Sequence, residues 1–520
     1  MTAPTQEFPR LSAERVAALT GRVFSTSGET IASVTPVTGE KLADVPLSSV
    51  DDVAAAFARA RKAQAEWARV PITERAELLL RLHDLVFERQ RDILDIVQWE
   101  SGKARKHAFE ELCDVAMNAR YYARVAQQHL LPTRRAGLFP LLTHTVELRH
   151  PKGVIGVIAP WNYPLTMAIS DALPALVAGN AVITKPATQT VLSGLLGAEL
   201  LADAGLPEDV WQVVVGEGRR VGAALIDQAD FVCFTGSTET GRSVARRCGE
   251  RLIGCTLELG GKNPLLVLDD ADVDKAAECA VRGCFSNAGQ LCISIERLYV
   301  AAPVYDAFLE RFVARVEAMR VEPAFTFDAD MGSLISEQQL ATVTAHVEDA
   351  VSKGAQVLAG GKARPDLGPY FFEPTVLTDV TPEMTCFASE TFGPVVSVYR
   401  VADDDEAVAA ANDSPYGLNA SVHGRDLRRA RAVASRLRAG TVNINEAYAA
   451  AWGSIDSPMG GVGDSGLGRR HGVDGLLKYT EPQTIAVQRV PVAPPGRVPY
   501  DVFARAITTG LRALRKAGRR

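Results

Sequence analysis

Apolar residues return every three or four positions through the first quarter of the chain. DVAAAFARARKAQAEWARV (52–70) and ITERAELLLRLHDLVFERQRDILDIVQWESG (72–102) both show this period, which predicts amphipathic helices across residues 50–135. Ser49 followed by Asp52 fits a capping box at the start of the first of them. Their single apolar faces predict that they cover one side of something larger. HTVELRHP (144–151) then alternates apolar and polar residues, as a strand does.

From Gly153 the pattern changes. GVIGVIAP, NAVITKPA, WQVVVGEG, FVCFTGS and NPLLVLDD are short, continuous apolar runs separated by helix-like stretches such as TVLSGLLGAELLADAG and TGRSVARRCGERL. This alternation predicts βαβ units and a parallel sheet buried on both faces. A second α/β region runs from about 270 to 460, with YDAFLERFVARVEAMR and SEQQLATVTAHVEDAVSKGAQVL as helices. QTIAVQR (483–489) is an isolated strand candidate, and its pairing with 144–150 predicts a small platform at an oligomer interface.

Composition narrows the class. The 520 residues suggest about three domains at roughly 150 residues each. With 47% apolar and 23% charged residues the chain reads as a soluble globular protein. A net charge of -6 argues against nucleic-acid binding. The eight cysteines, Cys113, Cys233, Cys248, Cys255, Cys279, Cys284, Cys292 and Cys386, form no CxxC and have no histidine at zinc-finger spacing, so neither a disulfide scaffold nor a metal site is expected. The N-terminus lacks the pattern of a secretion signal, no apolar run approaches a membrane span, and a reducing cytoplasm is the expected compartment. The end is unusual. Pro491, Pro494, Pro495 and Pro499 predict an extended linker. The sequence after them intersperses Val502, Phe503, Ala506, Leu511 and Leu514 with six basic residues, and Gly510 weakens the case for a helix there. A solvated surface helix is the ordinary reading, and attachment to a membrane surface or partner is the sharper one.

Four segments carry candidate chemistry. GEGRRVG (216–222), containing Gly218, follows a strand and is either an ordinary turn or a phosphate approach. In FTGSTETG, Phe234 ends a strand and Gly236 and Ser237 open a helix, where free N–H groups favour an anion; Ser237 alternatively only caps that helix. In LELGGKNP, Glu258 lies between Leu257 and Leu259, and burial there raises a carboxylate toward the range of a general base; a backbone-bonded structural carboxylate is the alternative. In FSNAGQLCISIERLYV, Cys292 sits in a polar, small-residue stretch suited to a nucleophile, with a buried core cysteine as the alternative. Cys279 and Cys284 fall in a helical pattern and read as core.

These pieces, with PWNYP (160–164), ITKPA (183–187), ETFGPV (390–395) and PMGGVGDSGLGRRHG (458–472), occur in an order that resembles the NAD(P)-dependent aldehyde dehydrogenase family from about residue 30 to 490. Glu258 and Cys292 are 34 residues apart, as in that family. GQLCISIERLYV and GSLISEQQL resemble its actinobacterial succinate-semialdehyde dehydrogenases in particular. The resemblance implies Cys292 as nucleophile, Glu258 as general base and Asn162 as oxyanion donor. It implies Lys185 and Glu390 on the cofactor riboses, Gly236 and Ser237 at the pyrophosphate, and Phe392 beside the nicotinamide. Pro160, Trp161, Thr188, Gly218, Phe234 and Leu259 complete the implied cofactor set, with no metal. Many NAD-preferring relatives carry a Glu where this chain has Thr188, so acceptance of NADP as well as NAD is expected.

One departure bears on substrate. Succinate-semialdehyde dehydrogenases place arginines eight residues after the oxyanion Asn and six before the nucleophile. Here those positions are Ser170 and Ser286, which offer hydroxyls and no charge. Tyr163, Met167, Tyr448 and Trp452 are candidates for the substrate pocket or for plain packing. Alternatives to succinate semialdehyde are therefore an aliphatic or aromatic aldehyde, or a catalytically inactive relative.

The implied fold class is α/β. A parallel-sheet cofactor domain spans 1–137 and 151–262, and an α/β catalytic domain spans 263–475. Oligomerisation strands at 138–150 and 476–490 form a small β platform, followed by a tail at 491–520. A homodimer or homotetramer is the implied assembly.

Overall fold

The structure, a computed structural model, describes residues 11–138, 143–489, 493–494 and 496–518. Part of the proline linker, including Pro491 and Pro495, lies outside the described residues, as do 139–142 of the anticipated platform.

Four helices, Val50–Trp67, Ile72–Glu88, Gln90–Ser101 and Arg105–Leu130, follow the early periodicity. The capping box at Ser49 and Asp52 is formed in both directions, with distances of 3.0 and 2.8 Å. Their apolar stripes, including Phe57, Leu79, Leu82, Val97 and Leu112, pack into one core with the first sheet.

That sheet has six strands, in the order Gly466–Leu467, Gly254–Glu258, Phe231–Thr235, Val154–Ile158, Ala181–Lys185 and Trp211–Val213. The five α/β strands run parallel, and the two-residue Gly466–Leu467 pairs antiparallel at the edge. Chain order reverses between Val154–Ile158 and Phe231–Thr235, and such a reversal opens a crevice beyond the carboxyl ends of the strands.

The second sheet has seven strands and centres on Ile295–Ala301 and Asn263–Val267, with a separate core. Asn263–Val267 joins this sheet, although its apolar run continues the rhythm of the first. The break falls at Gly260-Gly261, where the chain leaves one sheet and enters the other.

A third, antiparallel sheet pairs Thr480–Gln488 along the whole of Thr143–Pro151, with Thr133–Arg135 on the far side. The outer strand is exposed along nearly its full length, including Ile485 and Val487. At the C-terminus Tyr500–Lys516 is helical straight through Gly510, contrary to the weakening expected there. A single glycine costs only about 1 kcal/mol in a helix, and the flanking Ala, Leu and Arg residues favour one. No residue of that helix is buried. Among the described residues no helix is long and apolar enough to cross a membrane, and no group of His, Cys, Asp or Glu is arranged to hold a metal.

Candidate functional site

The crevice is a cavity of about 250 Å³ between the two sheets. The turn after Val154–Ile158 contributes Pro160, Trp161, Asn162 and Tyr163. The turn after Phe231–Thr235 contributes Gly236 and Ser237, and Glu258, Leu259, Cys292, Glu390 and Phe392 close the other sides. Most of the residues singled out from sequence therefore converge.

Cys292 follows a backbone path that an extended or helical chain would not take. Asn287, Ala288 and Gly289 have φ of 51°, 54° and 70°. Left-handed backbone costs a non-glycine residue roughly 1–2 kcal/mol, so the surroundings must impose it. The Asn287 N–H donates to His107 Nδ1 at 3.1 Å, and its side-chain amide donates to the Asn162 and Gln290 carbonyls at 3.0 and 3.1 Å. Burial, reinforced by nearby Lys103, pushes His107 down to about 3, so the ring is neutral and can accept. At Gly289 a Cβ would lie 2.1 Å from the Gly393 carbonyl oxygen, so glycine is required by space as well as by φ. After the turn, Asn263 Nδ2 donates to the Cys292 carbonyl at 2.8 Å.

The Asn162 turn is held with equal care. Lys103 and Glu111 form a fully buried ion pair. Lys103 Nζ donates to the Asn162 carbonyl at 2.7 Å, and Glu111 accepts from the Leu165 and Thr166 N–H groups at the next helix start. The Asn162 side-chain amide is thereby aimed toward the Cys292 turn, 3.1 Å from the Gln290 carbonyl.

Burial pushes the Cys292 thiol up to about 12, with Glu258 and Glu390 adding to the effect. The thiol is protonated at neutral pH and needs a base to act. Glu258 ends the strand Gly254–Glu258, its carbonyl accepting from the Gly236 N–H. Burial pushes its carboxyl up to about 7, as its apolar flanks predict, although Arg470 opposes the shift. Its Oε1 has no hydrogen-bond partner among the described residues, which disfavours a backbone-bonded structural role.

Further residues of the cavity wall are aromatic, glycine and carboxylate. Trp161 and Phe392 meet edge to face, 5.4 Å between centroids, and make an aromatic wall. Glu390 accepts from the Gly261 N–H at 2.8 Å, and burial pushes its carboxyl up to about 8. A Cβ on Gly260 would lie 2.2 Å from Glu390 Oε2, so that cradle demands glycine. Phe392 has φ of 51°, and its N–H and that of Thr391 donate to Glu296, itself paired with Lys262. Ser237 caps the helix Thr238–Glu250, as one of its two readings predicted, and also lines the cavity.

Four anticipated cofactor residues do not line this cavity. Phe234 packs beneath the turn, its ring 2.6 Å from where a Gly236 Cβ would stand, and explains why that residue is glycine. Lys185 is buried at its strand end and pushed down to about 8. Gly218 begins the short helix Gly218–Gly222, and Gly222 of that helix lies against the Lys185 stem. Thr188 is half-buried at the start of the turn Thr188–Thr190.

On its other side Cys292 opens into a second cavity of about 30 Å³, with Tyr163, Met167, Tyr448 and Trp452 in its wall. The anticipated Ser170 and Ser286 are not in that wall. Ser286 Oγ donates to the Arg282 carbonyl and lies 2.8 Å from the Tyr448 hydroxyl, while Ser170 is buried beside Asp114. The wall instead holds two ionisable groups that motif reading passed over, Glu110 and Arg470. Tyr163 donates to Glu110 at 2.9 Å. Glu110 lies in an unremarked stretch of helix, whereas Arg470 was visible within the glycine-rich segment 458–472.

Comparison with known proteins agrees with this geometry. The Aldehyde dehydrogenase family profile matches residues 23–485. A Mycolicibacterium smegmatis protein bearing the name "putative succinate-semialdehyde dehydrogenase", NADP(+)-type, is 54% identical over 480 residues, 92% of this chain and 93% of its own. The NADP(+) succinate-semialdehyde dehydrogenase of Escherichia coli is 36% identical over 88% of this chain and 94% of its own. Among solved structures, an E. coli NADP-dependent enzyme superposes with a TM-score of 0.86 at 36% identity, covering 90% of this chain and 96% of that one. Betaine aldehyde dehydrogenase of Staphylococcus aureus in complex with NAD+ gives 0.85 at 31%, covering 90% and 94%. The chain belongs to the aldehyde dehydrogenase family.

Proposed function

We propose that this protein oxidises succinate semialdehyde to succinate with NADP or NAD. The observation that carries the chemistry is the position of Cys292, shared between the larger cavity, with Glu258 in its wall, and a small aromatic one. The substrate reading is supported by the names of the relatives at 53–54% identity.

The Cys292 thiol gives its proton to solvent water in the cleft, and the thiolate adds to the aldehyde carbon. Charge developing on the oxygen is met by the Asn162 amide and the Cys292 N–H, donors of the kind that stabilise an oxyanion. A bound nicotinamide supplies acceptance of the hydride that leaves the thiohemiacetal. Glu390 would hold the adjoining ribose, and Trp161 and Phe392 would confine the ring. Glu258 then takes a proton from water, which attacks the thioester, releases the acid and restores the thiol. A carboxylate near neutrality suits that task, being free enough to accept and basic enough to drive transfer. Thr188 presents no carboxylate against a 2′-phosphate, which supports use of NADP.

We also infer that the exposed strand Thr480–Gln488 joins subunits into a dimer or tetramer, and that the protein works in a reducing cytoplasm, where its nucleophile stays a thiol. Purified protein with succinate semialdehyde, hexanal and benzaldehyde, each with NADP and NAD, tests the function. Succinate semialdehyde with NADP is expected to give the highest kcat/KM, and Cys292→Ala to abolish NADPH formation. Near-wild-type turnover by that variant would remove the mechanism, and preference for an uncharged aldehyde would remove the substrate.

A further inference from the structure

Arg470 is the only Lys or Arg in the wall of the small cavity beside Cys292, among the described residues, and the reaction scheme leaves it without a task. Its side chain is 6% exposed. Nη2 lies 3.0 Å from Asp171 Oδ1, yet neither Nη2 nor Nε makes a hydrogen bond among the described residues. Among the described residues Nη1 donates only to the Met167 sulfur, at 3.6 Å. The fully buried Asp114 carboxyl also faces the Arg470 charge, with the Ser170 and Trp452 side chains beside it. Asp171 thus balances the charge without satisfying the donors. A guanidinium has five N–H donors in a planar fork, and burying them without acceptors is costly enough to need an explanation. The rest of the wall is aromatic, aliphatic or sulfur, apart from Thr166 and Glu110.

We propose that Arg470 binds the carboxylate of the substrate, making it the specificity-determining residue for an ω-carboxylated aldehyde. This rests on the substrate reading above. The fork matches a carboxylate in a way that the Ser170 and Ser286 hydroxyls, which lie outside the cavity wall, do not. Asp171 holds the guanidinium in place when no substrate is present. Glu110 lines the same cavity, and Asp114 faces the Arg470 charge from outside its wall. Burial pushes both up, so they enter as neutral acids more readily than surface carboxylates do and repel an incoming anion less. The Arg470 charge also faces Glu258 and Cys292. A role confined to tuning those two groups would affect all aldehydes alike.

The enzyme with NADP is assayed on succinate semialdehyde and on butanal, which has the same chain length without the carboxylate. In Arg470→Met the ratio of their kcat/KM values is expected to fall at least tenfold, chiefly through KM for succinate semialdehyde, and Arg470→Lys should recover part of it. An equal loss on both substrates would overturn the anchor while leaving the substrate reading intact. A wild-type enzyme that uses butanal and ignores succinate semialdehyde would overturn both. Should the Met variant not fold, the wild-type protein still decides. Succinate should slow iodoacetamide alkylation of Cys292 more than succinamide does, and equal protection would overturn the proposal.

Discussion

Replacing Glu258 by Gln separates its chemical role from its cost to the fold. The carboxyl is pushed from its ordinary 4.5 to about 7, with burial the largest cause. The folded protein therefore holds a proton here that the unfolded chain has already lost between those two pH values. Where the folded state binds more protons, stability falls as pH rises. The stability associated with the protonated form is complete below pH 4.5 and is lost by the time pH passes about 7. The gap corresponds to about 3 kcal/mol, as an order of magnitude. Glutamine is nearly isosteric and never ionises. Glu258→Gln should thus be about as stable as wild type at pH 5 and more stable at pH 8, in thermal unfolding with cofactor absent. Its activity should move the other way. Losing a general base typically costs 10²–10⁴-fold. If the base serves thioester hydrolysis, stopped-flow NADPH absorbance should keep a first-turnover burst while the steady state collapses. A stability difference that does not grow with pH would refute the burial argument. An undiminished steady-state rate at pH 8 would refute the catalytic role, and loss of the burst as well would move that role to activation of Cys292.

Three further outcomes are expected. Thr188→Glu places a carboxylate where the 2′-phosphate is expected and should shift the NADP/NAD ratio of kcat/KM at least tenfold toward NAD, read from steady-state kinetics with both cofactors. Gly289→Ala forces a methyl to within 2.1 Å of the Gly393 carbonyl oxygen at a φ of 70°; it should destabilise by more than about 3 kcal/mol and slow iodoacetamide labelling of Cys292, seen in urea titration and mass spectrometry. Glu296→Gln leaves Lys262 buried without its counter-charge and loosens the Thr391 and Phe392 N–H groups; a loss of about 3–5 kcal/mol should accompany a raised KM for cofactor.

What could be read before folding was whatever a few consecutive residues decide. The capping box at Ser49, the glycine at 236 and the apolar flanks of Glu258 each record a local demand for a cap, space or burial, and each is met where the sequence placed it. The strand partners 143–151 and 480–488 were legible for a related reason, since both alternate and neither fits the neighbouring α/β rhythm. What escaped was set by residues brought together from distant segments. Nothing near His107 announces that its neutral ring holds the Asn287 N–H 180 positions away. Nothing around Glu111 shows that it anchors the turn carrying Asn162. Ser170 and Ser286 fall outside the wall of the small cavity for the same reason, because spacing from a motif fixes a residue along the chain and not the direction of its side chain. The charge absent from those two positions is present at Arg470, more than 180 residues along the chain from Ser286. A search by spacing from Asn162 and Cys292 could not reach it. Cavity walls are assembled across sheets, so charge complementarity must be sought in the wall as a whole, where a buried donor without an acceptor is the informative sign.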